Sequence, residues 1–194
     1  MSLGKLIVFS APSGSGKTSI VHYLLKQPEL NLEFSVSATS RKKRGTEQDG
    51  VDYYFISQEK FKEYIQHDAF AEWEEVYKNH YYGTLKKEIK RIREQGKNVV
   101  FDIDVIGGLN IKKLYPDDTL AIFVKPPSVK ELQKRLEKRK TDSKEKIEER
   151  LAKAAKELTY QDEFDIVLVN DTLDKAQKEA FEYVKKFIKQ APKK

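Results

Sequence analysis

The segment FSAPSGSGKTS, residues 9–19, has two glycines and a lysine between an apolar run and a helical pattern. Gly14 and Gly16 allow positive φ angles, so backbone N–H groups there can converge on phosphate oxygens. Lys17 supplies a point charge for the β- and γ-phosphates, and Thr18 supplies a hydroxyl for Mg²⁺. The helix that follows adds the positive end of its dipole. The segment therefore predicts a site for a nucleoside triphosphate.

This predicted triphosphate site departs from the common loop pattern at one position. The pattern G-x-x-x-x-G-K-[ST] has glycine where this chain has Ala11. Because Pro12 biases Ala11 toward extended backbone, we expect the methyl group to be tolerated. An ordinary turn between a strand and a helix is the alternative. The residues predicted to bind the triphosphate are Ser13, Gly14, Ser15, Gly16, Lys17, Thr18 and Ser19.

Two further groups of charged residues could hold phosphates or their metal. Arg41 and Arg44 lie three residues apart in a turn and Tyr53 follows, which suits a clamp for a dianionic phosphate. Asp102 and Asp104 end a strand-like run, so both point to one face at the carboxyl edge of a sheet, where an acid can hold a metal shell. The alternatives are a solvated basic turn and acids that cap the next helix.

Arginines also flank a polar stretch between two helical patterns. Arg135 and Arg139 lie four residues apart on one helix face, and Arg150 follows the segment KRKTDSKEK, which has no apolar anchor. Such a segment is typical of a mobile lid. Arginines on a lid can close on a transferring phosphoryl group and exclude water. A solvated helix surface is the alternative.

These residues must be positioned by a sheet and its helices. Near-continuous apolar runs predict strands that are buried on both faces of a mostly parallel sheet. Ser128 and Glu131 form a capping box, and apolar stripes at 147–158 and 176–188 predict two further helices. The alternation of strands and helices predicts a doubly wound α/β fold. The predicted strands are Leu6–Ser10, Phe34–Ala38, Asn98–Ile103, Leu120–Val124 and Ile166–Val169.

One stretch, from Ser35 to about Thr84, breaks this alternation. Its strings VDYYFIS, FAEWEEV and NHYYGT are typical of short antiparallel strands, and a helix is expected at 60–66. We expect this stretch to form an inserted lobe of mixed α+β structure.

Composition limits the class of protein. Lys and Arg number 37 against 31 for Asp and Glu, a formal charge of +6, which suits a polyanionic ligand. No aromatic-basic motif of the RNA-binding kinds is present. The chain has no cysteine, which excludes disulfides. Its three histidines lack the spacing of metal ligands, and no run approaches the ~20 apolar residues of a membrane span. We expect one cytoplasmic domain, monomeric or homodimeric, with no nucleic-acid or membrane partner.

The order of motifs along the whole chain resembles guanylate kinases of the nucleoside monophosphate kinase superfamily. The resemblance implies a P-loop three-layer α/β fold with a five-stranded parallel sheet core (1–34, 85–137 and 151–194), an inserted GMP-binding lobe (35–84) and a short lid (138–150). The implied reaction is Mg²⁺-dependent phosphoryl transfer from ATP to GMP. The strings that carry the resemblance are SGSGKT, SVSATSRKKR, GVDYYF, FAEWEEV, YYGT, DIDVIGG, RLEKRKTDS and VNDTLDKA.

On the acceptor side, the resemblance implies a phosphate clamp and a guanine pocket. Guanine presents N1–H and its 2-amino group as adjacent donors, which the carboxylate of Glu72 can accept together, whereas adenine offers no such pair. From the sequence alone, Glu72 could equally be a surface acid that precedes a core residue, Trp73. The residues implied to bind GMP are Ser37, Arg41, Arg44, Tyr53, Glu72, Tyr82, Thr84 and Asp104.

On the donor side, the resemblance implies a metal and several cations around the phosphates. Asp102 would be the acid on the metal side, acting with Thr18 on Mg²⁺ indirectly or through water. Asn170 would lie near the adenine of ATP, with Arg135 as a further ATP contact, although an asparagine at a strand end is otherwise a plain cap. The residues implied to act in catalysis are Lys17, Arg44, Arg139 and Arg150.

Two other functions stay open on the sequence. Guanylate-kinase-like binding modules hold phosphorylated peptides through the same arginines, but Lys17, Thr18 and the lid arginines would have no purpose in such a module. A kinase for another acceptor would keep the phosphate loop and differ in the lobe. Lys140 stands where relatives often have glycine, which leaves the flexibility of the lid open.

Overall fold

The structure is a computed structural model that describes residues 3–138 and 143–190. The chain forms two compact units: the first unit holds the residues up to Lys5 together with Glu33–Val99, and the second unit holds Leu6–Leu32 and the residues from Val100 onward. The described strands and helices are, in chain order, β1 (Leu6–Ser10), α1 (Lys17–Leu25), β2 (Leu32–Phe34), β3 (Ala38–Thr39), β4 (Tyr54–Phe55), α2 (Gln58–Gln66), β5 (Phe70–Tyr77), β6 (His80–Leu85), α3 (Lys86–Glu94), β7 (Asn98–Asp102), α4 (Val105–Leu114), β8 (Thr119–Lys125), α5 (Val129–Lys138), α6 (Lys144–Leu158), β9 (Ile166–Val169) and α7 (Leu173–Ile188).

The second unit is built on a five-stranded sheet in the order β2-β7-β1-β8-β9, whose strands β2 and β7 run on into the first unit. β1 pairs in parallel with β8, and β8 pairs in parallel with β9. Every residue of β1 is buried, as a strand covered on both faces requires. The α/β fold class predicted from the sequence is confirmed.

Helices α5 and α6 pack against each other and carry two of the predicted arginines. Their contact buries Leu132, Leu136 and Ala154. The predicted N-cap at the start of α5 is formed, because the Ser128 hydroxyl accepts a hydrogen bond from the Glu131 N–H at 3.1 Å, while the Glu131 carboxylate pairs with Arg135. This packing fixes the backbone positions from which Arg135 and Arg150 extend.

The first unit contains a four-stranded sheet in the order β4-β3-β6-β5, with α2 packed on it. The ring of Phe61 from α2 stacks on Phe70 of β5 at 4.3 Å between centroids and on Tyr81 of β6 at 5.4 Å. Ser57 caps α2 by accepting from the Lys60 N–H. This small aromatic core holds β5 and β6 in register, which matters because both strands carry predicted binding residues.

Two strand predictions are wrong. The expected strand Phe34–Ala38 is interrupted, because β2 ends at Phe34 in one sheet and β3 begins at Ala38 in the other. β4, expected to be antiparallel, pairs in parallel with β3 through Ala38 opposite Tyr54. Apolar runs indicate extended and buried backbone, but the partner and direction of a strand depend on residues distant in sequence.

The predicted lid lies partly in regular structure. Helix α6 begins at Lys144, after Ser143 caps it, so the end of the range 138–150 is helical. Arg139 and Lys140 lie outside the described residues. Among the helices of residues 3–138 and 143–190, none has the length and apolar character needed to cross a bilayer.

Candidate active site

The loop between β1 and α1 has the backbone form that the sequence predicts. Gly14 and Gly16 adopt φ angles of 95° and 91°, and Gly16 is the N-cap of α1. Such positive φ angles favour glycine and turn successive N–H groups toward one side. Ala11 is buried at 6% exposure, so the methyl group at the unusual position is accommodated within the fold.

A cavity of about 350 Å³ opens at this loop. Three segments of the second unit form its walls: the loop with the start of α1, the end of β7 with the residues after it, and one face of α6. The cavity therefore brings together most of the predicted donor-side residues, and with them Asp104, which was predicted to bind GMP. Those that line it are Ser13, Gly14, Ser15, Gly16, Lys17, Thr18, Ser19, Asp102, Asp104 and Arg150, with Ala11, Pro12, Ile103, Lys153 and Glu157.

Asp102 joins the two side chains that open α1. Lys17 Nζ lies 2.6 Å from Asp102 Oδ1 and donates to the carbonyl of Ile103 at 2.7 Å. The Thr18 hydroxyl donates to Asp102 Oδ2 at 2.7 Å. The carboxylate thus balances the lysine charge and lies beside the threonine oxygen at the floor of the cavity.

Asp104, the second acid of the predicted pair, caps a helix. Its Oδ1 accepts from the Gly107 N–H at 3.0 Å at the start of α4, and its backbone carbonyl accepts from the Ser10 hydroxyl at 2.9 Å. The two acids differ in their contacts, since only Asp102 bonds to the phosphate-loop helix. Asp104 therefore matches the alternative of an acid that caps the next helix, and it does so through one of its two carboxylate oxygens.

Two of the arginines predicted to act on the donor side lie within the described residues, and they have different partners. Arg150 Nη1 donates to the Ser13 hydroxyl at 2.7 Å, inside the cavity described above. Arg135 Nη2 donates to the carbonyl of Asn170 at 3.0 Å, and its Nε lies 3.3 Å from Glu131 Oε1. Arg139 is outside the described residues.

Asn170 contacts the phosphate loop itself. It follows β9, is 3% exposed, and donates from Nδ2 to the carbonyl of Ser15 at 2.7 Å. A second cavity, of about 400 Å³, borders the other side of the loop. It is lined by Gly14, Gly16, Ser19, Arg135, Lys138, Asn170 and Leu173.

In the first unit, Arg41 is the centre of a polar cluster. Its Nη1 and Nη2 bond to the two carboxylate oxygens of Glu47 at 2.6 Å each, and its Nε donates to the Tyr82 hydroxyl at 2.9 Å. The guanidinium also lies 5.0 Å from the ring centroid of Tyr53. Glu47 accepts from the Arg44 N–H as well, at 2.8 Å. Two further predicted phosphate ligands, Tyr53 and Tyr82, thus contact Arg41, while the Arg44 side chain is exposed.

The ionisation of this cluster follows from these contacts. Hydrogen bonds to Glu47 raise the pKa of Arg41 above its usual value, and the same bonds lower the pKa of the Glu47 carboxyl to about 2. Burial raises the pKa of the Tyr53 hydroxyl. At neutral pH the cluster therefore holds a charged Arg41 and a protonated phenol, both of which can donate to phosphate oxygens.

Glu72 is a buried residue of β5, on the side of that strand's pairing with β6. It is 7% exposed, lies opposite Thr84 in the strand register, and accepts a hydrogen bond from the Thr84 hydroxyl. Trp73, the next residue, is more exposed than Glu72, at 45%. The alternative, in which Glu72 is a surface acid and Trp73 a core residue, is therefore wrong. Ser37 lies between β2 and β3, half-buried, and its carbonyl accepts from the Tyr54 N–H at 2.9 Å.

Sequence reasoning missed three charged residues at these sites. Glu47 is the partner of Arg41, and Lys153 and Glu157 line the cavity at the phosphate loop. Their spacing carried a signal: Glu47 follows Arg44 by three residues in a turn, and Lys153 and Glu157 follow Arg150 by three and seven on α6. Each was one charge among many in a strongly charged chain, so only the contacts distinguish it.

Replacing Glu47 by glutamine should weaken the dependence of stability on acid pH. The pKa of Glu47 is about 2 in the folded chain, against 4.5 for an ordinary glutamate. A carboxyl with a lowered pKa contributes stability that is present above pH 4.5 and is lost as the pH falls toward 2. Urea unfolding between pH 5.5 and pH 2.5 should show a smaller loss of unfolding free energy in Glu47→Gln than in the wild type.

The matched control for this measurement is Glu94→Gln. Glu94 is exposed and lies 3.7 Å from Lys90 in a helix-surface pair, which contributes little to stability. Its variant should follow the wild-type pH dependence. Equal slopes for Glu47→Gln and the wild type would contradict the role given to the Arg41–Glu47 pair.

Three features define this chain as a phosphate-loop nucleotide-binding protein. They are the parallel α/β sheet, the glycine loop with positive φ angles after β1, and the lysine that opens the next helix. Within that class, the guanylate kinase family model matches residues 3–190. The chain belongs to the guanylate kinase family.

Individual relatives agree over nearly the whole chain. A guanylate kinase of Bacteroides thetaiotaomicron is 56% identical over 185 residues, which cover 95% of this chain and 90% of the relative. One from Porphyromonas gingivalis is 55% identical, covering 87% of this chain and 90% of the relative. The crystal structure of guanylate kinase from Anaplasma phagocytophilum aligns with a TM-score of 0.77 at 26% identity, covering 98% of this chain and 89% of that one.

Proposed function

We propose that this chain transfers the terminal phosphoryl group of ATP to GMP, giving ADP and GDP, as a step of purine nucleotide metabolism. The observation that carries the proposal is the Lys17–Asp102–Thr18 cluster at a glycine loop, in a chain 56% identical to a guanylate kinase. The proposed location is the cytoplasm, which agrees with a chain that contains no cysteine.

The donor site proposed for ATP lies at the phosphate loop. The loop N–H groups and the N-terminus of α1 would bind the phosphates, and Lys17 would turn from Asp102 to their oxygens. Arg150, already bonded to Ser13, would approach the terminal phosphate. The nucleoside would occupy the second cavity, beside Arg135 and Asn170.

The metal proposed with ATP is Mg²⁺. Phosphoryl transfer from a nucleoside triphosphate uses a divalent cation bound to the nucleotide, and that cation neutralises developing phosphate charge. The residues fit it: Thr18 and Asp102 offer a hydroxyl and a carboxylate oxygen 2.7 Å apart, the hard oxygen ligands that Mg²⁺ prefers. These residues would hold the ion indirectly or through water.

The acceptor site proposed for GMP lies in the lobe at residues 35–84. The phosphate would bind Arg41, Arg44, Tyr53 and Tyr82, and the two tyrosines already contact Arg41. Guanine would bind Glu72, Thr84 and Ser37, with Asp104 contributing from the core. The core would comprise 1–34, 85–137 and 151–194, and the lid 138–150.

The chemical step needs little help from a base. A phosphate oxygen of GMP attacks the γ-phosphorus of ATP, the bond from that phosphorus to the β–γ bridging oxygen breaks, and ADP leaves with the electron pair. Because the attacking oxygen is already anionic, catalysis comes from alignment and from cations near the transferred group. Lys17, Arg44, Arg139 and Arg150 are the cations proposed for this role.

A binding module for phosphorylated peptides is the competing function. Such a module needs the Arg41 cluster alone, whereas this chain also has a formed phosphate loop with Lys17, Thr18 and Asp102 in contact. These contacts favour an enzyme. A kinase for a different acceptor is the other alternative. It is distinguished from the proposed function by which monophosphate the protein phosphorylates.

A coupled assay for ADP formation tests the proposal. With ATP and Mg²⁺, GMP should be turned over, while AMP, UMP and CMP should react at least ~10⁴-fold less efficiently, because a buried carboxylate rejects a base that lacks paired donors. Removal of the metal with EDTA should stop turnover, and added Mg²⁺ should restore it. Binding of GMP without ADP formation would favour the binding module, and turnover of another monophosphate would favour a different kinase.

A further inference from the structure

We propose that Asn170 is a positioning residue for the phosphate loop, acting on the backbone of Ser15 rather than only on the nucleoside. This inference rests on the proposed ATP site and assigns to Asn170 a role in phosphate binding. Its basis is the hydrogen bond from Asn170 Nδ2 to the Ser15 carbonyl at 2.7 Å, which joins residues 155 positions apart in the chain and is buried.

The backbone N–H and the backbone carbonyl of Asn170 are both hydrogen-bonded. Its N–H donates to the carbonyl of Lys125 at the end of β8 at 2.8 Å, and its carbonyl accepts from Arg135 Nη2 at 3.0 Å. The residue is 3% exposed. The backbone of Asn170 therefore has a defined position, from which the buried side chain directs Nδ2 to the loop. Within the described residues the other amide atom, Oδ1, has no hydrogen-bond partner.

The loop leaves a space shaped for this amide. A Cβ atom built on Gly16 would lie 2.3 Å from Asn170 Nδ2, closer than such atoms approach, and Gly16 has a φ of 91°. Glycine at this position therefore serves two needs: the left-handed backbone and the room for Asn170.

The bond matters for anion binding because the loop presents both donors and acceptors. Phosphate binds to N–H groups that converge on one side, and a carbonyl turned to that side would repel it. Asn170 engages the Ser15 carbonyl, and the next two residues, Gly16 and Lys17, start α1 and line the cavity. Within the described residues the buried Ser15 hydroxyl has no hydrogen-bond partner, so the carbonyl bond is the contact that secures Ser15 from outside the loop.

Tripolyphosphate separates this role from a contact to adenine, since it carries three phosphates and no base. Calorimetric titration of Asn170→Ala should show weaker binding of both tripolyphosphate and ATP, each by about tenfold, the size expected from one lost hydrogen bond. GMP affinity should be unchanged, because the loss is confined to the phosphate loop. Asn110→Ala, an exposed asparagine on α4, is the matched control and should bind all three ligands as the wild type does.

A second variant keeps the test valid if Asn170→Ala is poorly folded. Asn170→Leu has a similar shape and adds no charge, but it cannot donate to the Ser15 carbonyl, so tripolyphosphate binding should fall about as far. If either folded variant loses ATP affinity while tripolyphosphate affinity stays at the wild-type value, Asn170 contacts the base and the inference is overturned. Should the wild type bind neither ligand, the proposed function fails together with this inference, whereas normal wild-type binding and unchanged variants overturn the inference alone.

Discussion

Replacing Lys17 by alanine should lower kcat for ADP formation by about 10³-fold while the protein stays folded. The ammonium group lies in the cavity at the proposed phosphate site, and removing one preorganised charge partner from a transition state has an effect of this order. In the structure this group is shared between Asp102 Oδ1 and the Ile103 carbonyl, with 16% of the lysine side chain exposed. Asp102 would keep the hydrogen bond from Thr18 and its partial contact with solvent, so we expect the variant to stay folded.

The measurement is the coupled assay, with circular dichroism to establish folding. Lys26→Ala is the matched control, since Lys26 is an exposed lysine that ends the same helix. It should retain wild-type turnover. A Lys17→Ala variant with unchanged kcat would refute the phosphate-loop assignment, and with it the donor site.

Replacing Glu72 by glutamine should reduce the preference for GMP over AMP, measured as the ratio of kcat/KM values, by about 100-fold or more. A carboxylate accepts from both N1–H and the 2-amino group of guanine, whereas an amide offers one acceptor and sets its NH₂ against the other donor. Burial at 7% exposure makes the unpaired groups costly because water cannot replace the lost partner. The hydrogen bond from Thr84 keeps the side chain oriented.

Glu75→Gln is the control on the same strand. Glu75 is exposed, and it accepts from the Asn79 N–H at 2.7 Å, a bond that the glutamine oxygen can keep. Its GMP preference should match that of the wild type. Retained selectivity in Glu72→Gln would remove Glu72 as the residue that distinguishes the base, and the guanine pocket would have to be sought elsewhere in the lobe.

Residues that act through local backbone were predictable from the sequence. Gly14 and Gly16 were expected to adopt positive φ angles, and they do. The N-cap at Ser128 was predictable for the same reason, because its partner Glu131 is three residues away. Strand partners were harder: the run at 34–38 was extended and apolar as expected, but its two ends belong to different sheets.

The sequence by itself determined the phosphate loop, the α/β class and the identity of the charged residues, because each depends on spacing within a short segment or on the pattern of apolar runs. The tertiary structure decided which of those charges meet. Asp102 meets Thr18 across 84 positions of the chain, and Asn170 meets Ser15 across 155. Glu72 is buried opposite Thr84 on the neighbouring strand, and Glu47 folds back on Arg41 within a turn of six residues. The contacts of Asp102 and Asn170 depend on sheet order and helix packing, which leave no trace in local spacing.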